Sequence, residues 1–238
     1  MSRTTLIACV AAIVLTSFNS FAITPASQST KGIGFGVLAE DLTRWHLAAY
    51  GAYANRTVKE DKIKEEIRIR RFNTILGYDL TRWLTVYALA GVMDADPKYR
   101  GNDQDSTALI GVGAWANLVH SLELSLLSTI SYYKLTAGAE ITFSDLDDFR
   151  WSQADAYLTF EIVNEIENNS NIFPKTVGVF AGPVVSYIIS DDYDADSDNV
   201  MGLSAGLTMR FSSSTYATIS YDMFSDDSIF AGMVGVRF

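Results

Sequence analysis

The sequence has little of several things. It holds one cysteine, two histidines and four prolines in 238 residues. A lone cysteine excludes a small fold stapled by disulfides. Two histidines, His46 and His120, leave little material for acid–base catalysis. Few prolines and 16 glycines argue against a fibrous or disordered chain. Basic residues are outnumbered 18 to 28, a net charge of −10 that disfavours nucleic acid as a partner. Long apolar runs are also missing. The one candidate, LIACVAAIVL from Leu6 to Leu15, is shorter than the roughly 20 residues a spanning helix needs.

That run reads instead as the core of a signal peptide. Arg3 precedes it, and Ser20 and Ala22 follow as the small residues of a cleavage site. Residues 1–22 are expected to be removed, with Ala26 as the alternative site. Residues 23–31 are then a short N-terminal segment and 32–238 a single domain. Cys9 sits early in the apolar run, whereas a lipidated cysteine would follow it, so lipid attachment is not expected.

What is abundant is alternation. From Trp151 to Val163, Ala154, Ala156, Leu158, Phe160 and Ile162 alternate with Gln153, Asp155, Thr159 and Glu161; from Gly202 to Phe211 the pattern repeats. A period of two marks a strand with one greasy and one wet face. Eleven segments qualify: 32–40, 46–55, 67–78, 83–93, 108–118, 121–132, 151–163, 176–190, 202–211, 215–224 and 229–238. No amphipathic helix is evident between them.

A soluble sandwich or lipocalin-like barrel turns its greasy face inward, and a membrane barrel turns it outward. Several features favour the second. Strands of about ten residues match a tilted bilayer crossing. Connections alternate between long and charged (RTVKEDKIKEE, DADPKYRGNDQDS, KLTAGAEITFSDLDDF, DDYDADSDN) and tight (DLTR, DLTR, VHS, SSS). The turn DLTRW occurs twice, at Asp41–Trp45 and Asp79–Trp83; Asp and Thr suit turn chemistry and Trp a headgroup-depth anchor. Trp45, Tyr78, Trp83 and Phe211, with Phe238, are expected to form an aromatic belt on the short-turn rim. Tyr132, Tyr133, Phe224 and Phe230 are expected near the other rim.

At the end of the sequence, Phe230, Gly232, Val234, Val236 and Phe238 share one face, with Arg237 on the other. This resembles the closing strand of Gram-negative bacterial outer-membrane β-barrel proteins. The resemblance implies an all-β, transmembrane, antiparallel up-and-down barrel in the bacterial outer membrane. It implies that Phe230, Val234, Val236 and Phe238 are the signal read by the barrel-assembly machinery. Lipid and lipopolysaccharide are then the surrounding partners. Such barrels have an even number of strands; the expected count is ten to twelve, with twelve preferred. The parity requires a short strand from 23–31, a hairpin hidden in 121–150, or exclusion of the first segment.

Three functions are open. The first is a noncatalytic barrel with an envelope or surface role and no cofactor. The second is a narrow channel for small polar solutes. The third is a barrel enzyme acting on lipid or peptide, which needs His46 or His120 within about 3 Å of a Ser or Asp. Expected lumen residues are Arg68, Arg70, Glu123, Asp155, Glu161, Arg210, Asp222 and Arg237. Cross-barrel ion pairs among them would fill a small barrel; otherwise they line its channel. Asp192, Asp194, Asp196 and Asp198 alternate like the start of a calcium loop, but Ser197 stands where a glycine is needed and Leu203 where the closing Glu belongs. They are weak candidates for Ca²⁺ or Mg²⁺, and no specific metal site is expected.

Overall fold

In a computed structural model the described residues are 44–60, 63–81, 83–97, 106–126, 129–146, 149–166, 173–190, 196–197, 201–212 and 214–238. They form one antiparallel sheet. Its strands are β1 (Trp45–Glu60), β2 (Ile63–Asp79), β3 (Leu84–Pro97), β4 (Thr107–Leu126), β5 (Thr129–Leu146), β6 (Phe149–Glu165), β7 (Thr176–Ser190), the two-residue β8 (Asp196–Ser197), β9 (Met201–Arg210), β10 (Thr215–Phe224) and β11 (Ser228–Arg237). Neighbours in sequence are neighbours in the sheet, apart from β8, and β11 pairs with β1 to close it. The result is an up-and-down barrel of ten wall strands.

The alternation decides which face points where. On β1, His46, Ala48, Tyr50, Ala54 and Arg56 are buried inside, while Leu47 and Tyr53 are exposed outside. On β6, Gln153, Asp155, Tyr157, Thr159 and Glu161 are buried, while Leu158 and Phe160 are exposed. The outer surface carries Phe72, Val92, Ile110, Val112, Val179 and Val234, each more than half exposed. Greasy outside and polar inside is the inverse of a soluble barrel.

The strands are steeply tilted. Following opposite residues across the sheet, Trp45 faces Tyr78, then Val86, Ala114, Ala139, Ala156, Val185 and Met201. This row starts where β1 begins and ends where β9 begins, at the opposite rim, as a sheared barrel requires. Ten-residue strands such as β9, β10 and β11, tilted about 40°, rise roughly 25 Å, the height of an apolar membrane band. β1 and β2, at 16 and 17 residues, project beyond it.

Four expectations are corrected. The preferred count of twelve becomes ten; the barrel closes without Gly32–Glu40, which lies outside the described residues, as do 23–31. The stretch KLTAGAEITFSDLDDF is mostly strand, because β5 runs to Leu146 and only two residues separate it from β6. The turn placed at VHS is instead the interior of β4, where the β4–β5 ladder shifts register between Asn117 and Val119 and between Ser121 and Leu124. RTVKEDKIKEE is likewise largely the charged upper part of the β1–β2 ladder, with two residues between the strands.

Candidate functional site

The interior of the barrel is the place where polar side chains converge, and they do so in layers. At the rim where β1 begins, Asp79 of β2 accepts from Thr85 Oγ1 at 2.7 Å and from Arg237 Nη2, and its Oδ1 is 2.8 Å from His46 Nε2. Beside it, Lys134 Nζ donates to Glu161 Oε2 at 3.0 Å, and Thr208 Oγ1 donates to the other carboxylate oxygen. Arg210 is electrostatically coupled to Glu161 and Arg237.

The middle layer is built on β2, β3, β5 and β6. Arg71 Nη2 donates to Gln153 Oε1 at 2.7 Å, and Gln153 Nε2 donates to Asp155 at 3.0 and 3.2 Å. Tyr87 donates its hydroxyl to Glu140 at 2.7 Å, and Glu140 stands directly opposite Asp155 in the β5–β6 ladder. Aromatic rings fill the space between these groups. They fit because each of five rings faces a glycine on the next strand: Tyr87 faces Gly113, Tyr157 Gly138, Phe180 Gly206, Tyr216 Gly235 and Phe224 Gly202. A Cβ on any of these glycines would lie 2.3 to 2.4 Å from its ring.

Near the far rim, Arg56 lies over the Phe224 ring at 5.1 Å and 3.6 Å from Asp227. Apolar residues Ile69, Met93, Leu109, Ile188 and Ile229 pack around this level, all at 1% exposure or less. Arg56 and Asp222 are 0% exposed, and Asn73 and Gln153 are 1% exposed. Among the described residues, inward side chains are buried at all three levels, as small barrels whose interiors are packed require.

Asp155, Glu161, Asp222 and Arg237 are buried on the inner face, and Arg210 shares the inward parity of Gly202, Ser204 and Thr208. Arg68 and Arg70 are not in the lumen. They lie on the outer face, with Arg70 3.7 Å from Asp94 and its side chain 67% exposed. Outward Phe72 and Leu76 must face the apolar side, which fixes the parity of β2 and puts Arg71, not Arg70, inside. Glu123 falls on β4, but its side chain is outside the described set. The interior residues that alternation alone did not single out are Arg56, Arg71, Asp79, Lys134 and Glu140.

On the short-turn rim Trp45 packs on Tyr78 at 4.9 Å between ring centres, Trp83 is exposed and Phe211 is partly buried. The other belt needs correction. Phe224 points inward, and Tyr133 stacks on Phe160 in the lower half of the wall. Phe230, Val234, Val236 and Phe238 all face outward. Asp192, Asp194 and Asp198 lie outside the described residues, while Asp196 is in β8 and pairs with Lys59 of β1. Among the described residues no group of three His, Cys, Asp or Glu could hold a metal ion.

No family model matches the chain, and no curated protein matches it in sequence. Solved structures do resemble it. An outer-membrane channel from Pseudomonas putida F1 is 8% identical, with 83% of this chain and 96% of that one covered and a TM-score of 0.45. The transport unit of the autotransporter AIDA-I from Escherichia coli is 8% identical, covering 84% and 92%, with a TM-score of 0.48. Neisserial surface protein A is 13% identical, covering 84% and 100%, with a TM-score of 0.35. These neighbours are bacterial outer-membrane β-barrels, and the likeness is one of fold.

His46 meets the distance condition set for an acid–base pair, at 2.8 Å from Asp79. Among the described residues no hydroxyl bonds its other ring nitrogen, and the His120 side chain lies outside them. His46 is 3% exposed, its Nδ1 has no hydrogen-bond partner, and Asp79 is shared with Arg237 and Thr85. A base that activates a nucleophile needs a hydroxyl or thiol within reach of its free nitrogen.

Proposed function

We propose that the protein is an integral outer-membrane barrel of a Gram-negative envelope, noncatalytic, working through its surface rather than by passing a solute. The observation that carries this reading is the filled interior, in which charged groups as large as Arg56 reach 0% exposure. The apolar exterior, the aromatic rim of Trp45, Tyr78 and Trp83, and the roughly 25 Å height of the ten-residue wall strands support residence in a bilayer. Outer-membrane lipid and lipopolysaccharide are the partners of that exterior. The outward face of Phe230, Val234, Val236 and Phe238 is the segment offered to the assembly machinery. The projecting ladder of β1 and β2 supplies surface beyond the band.

A narrow channel is the second reading. It is favoured by the hydroxyls of Thr142, Thr159 and Thr218, which are buried without a protein partner and would be satisfied by internal water. One preparation tests both. Full-length protein should fractionate with the outer membrane and shift on a gel when heated, yet give no discrete conductance in planar bilayers at high occupancy. Conductance steps would favour the channel, and a soluble periplasmic product would overturn the membrane reading.

A further inference from the structure

We infer that the seam between β1 and β11, where the sheet meets itself, is closed by two buried latches, one at each end of its ladder. That ladder runs from His46 opposite Arg237 to Asn55 opposite Ser228. At its first end a single carboxylate, Asp79, ties four strands together. It sits on β2 and engages His46 of β1 at 2.8 Å, Thr85 of β3 at 2.7 Å and Arg237 of β11. His46, Asp79, Thr85 and Arg237 are 3%, 4%, 5% and 5% exposed, so water does not compete for these bonds.

At the other end a second carboxylate takes the place of the next rung. Beyond Asn55 and Ser228 the ladder stops, and the backbone N–H of Thr57 donates instead to Asp227 Oδ1 at 2.9 Å. Arg56, the residue between, lies 3.6 Å from Asp227 Oδ2 and over the ring of Phe224. Past this point Val58 and Lys59 pair with β8. The edge of β1 is thus covered without a break by β11, the Asp227 side chain and β8.

Both latches hold the one wall pair whose strands come from opposite ends of the barrel sequence. Every other wall pair is consecutive around the barrel and linked by a local connection that fixes its register. β1 and β11 have no such connection, and closing so long a loop carries the largest entropic cost. A slip of one residue would turn the lumen face outward. A slip of two keeps the faces, but it moves Arg237 off Asp79 and Asp227 off Thr57 together. The latches therefore select the register that alternation cannot.

Hydrogen exchange of the folded full chain in detergent micelles tests this, with β6 peptides (149–165) as the internal control. In Asp79→Asn and Arg237→Gln, amides of 45–50 and 233–238 should exchange faster by about tenfold or more while β6 stays unchanged. Asp227→Asn should act at the opposite end, on 54–57 and 228–231, and spare 45–50. Thr85→Val is nearly isosteric and removes one donor only, so it reports on the first latch with a smaller change of the same pattern even if Asp79→Asn does not fold. Seam amides unchanged in Thr85→Val and Asp227→Asn, or rising equally with β6, would overturn the proposal.

Discussion

Gly113 shows how much one missing methyl group decides. The Tyr87 ring lies where its Cβ would be, 2.3 Å from Cζ, and the backbone carbonyl of Ala139 closes the other side at 2.8 Å. Gly113→Ala forces the ring away and breaks the 2.7 Å bond from Tyr87 to Glu140. The expected cost is about 1–3 kcal/mol, the usual range for overpacking a tight interior. In a Tyr87→Ala background the same change should cost clearly less, because only the Ala139 carbonyl at 2.8 Å still crowds the new Cβ. A double-mutant cycle by denaturant unfolding in detergent measures the coupling; additive costs would show that the ring and the glycine are independent. These pairs are not legible in the sequence, because which ring faces which glycine is set by register. The repeated DLTRW turn was legible only in part. Thr81 does the turn chemistry, accepting from the backbone of Trp83 at 3.3 Å and Leu84 at 3.0 Å. Asp79 turns inward, because it ends β2 on the lumen side of the alternation.

At the scale of the strand, β5 is the instructive element. Its inward residues Lys134, Thr136, Glu140, Thr142 and Ser144 alternate with outward Leu135, Ala137, Ala139, Ile141 and Phe143. The signal was muted because alanine and glycine occupy the centre, and small residues carry little contrast between a greasy and a wet face. β2 had the reverse problem. Arg70 and Arg71 are adjacent, so one of them must face outward; Ile67, Ile69 and Ile75 pull toward one parity and Phe72 and Leu76 toward the other, and the second wins. Segments with strong contrast, such as β6, β9, β10 and β11, were readable almost to their ends. A charge placed on β5 separates strand from loop. Ala139→Arg, on the outer face near mid-height of the wall, should destabilise the protein in lipid vesicles by about 2–4 kcal/mol, the cost of a cation at the bilayer midplane. On a solvated loop the same change would have almost no effect. Unfolding titrations in vesicles read the difference directly.

For the whole molecule, the sequence could place charges of both signs inside but could not say whether they meet. Meeting depends on barrel radius, and radius depends on strand number and shear. With ten strands the opposing walls are close enough for Arg71 on β2 to reach Gln153 on β6, four strands away around the wall. Such a contact is what stands between a packed interior and a pore. Removing Arg71 alone would strand Asp155 and Glu140 as uncompensated buried charge and confound folding with conduction. Removing Asp155 as well leaves only Glu140 without its cation, still accepting from the Tyr87 hydroxyl. The double change Arg71→Ala with Asp155→Ala deletes one cation and one anion together and opens space in the middle layer without altering net charge. Neither change touches the backbone ladders of the wall, so the folded, heat-modifiable form should survive. Discrete conductance steps should then appear where the unmodified protein is expected to be silent. If the double variant folds and stays silent, the block lies instead in the rim layer of Asp79, Glu161, Lys134 and Arg237, and removing Lys134 with Glu161 should open it. Silence in both variants would mean that neither layer alone seals the barrel.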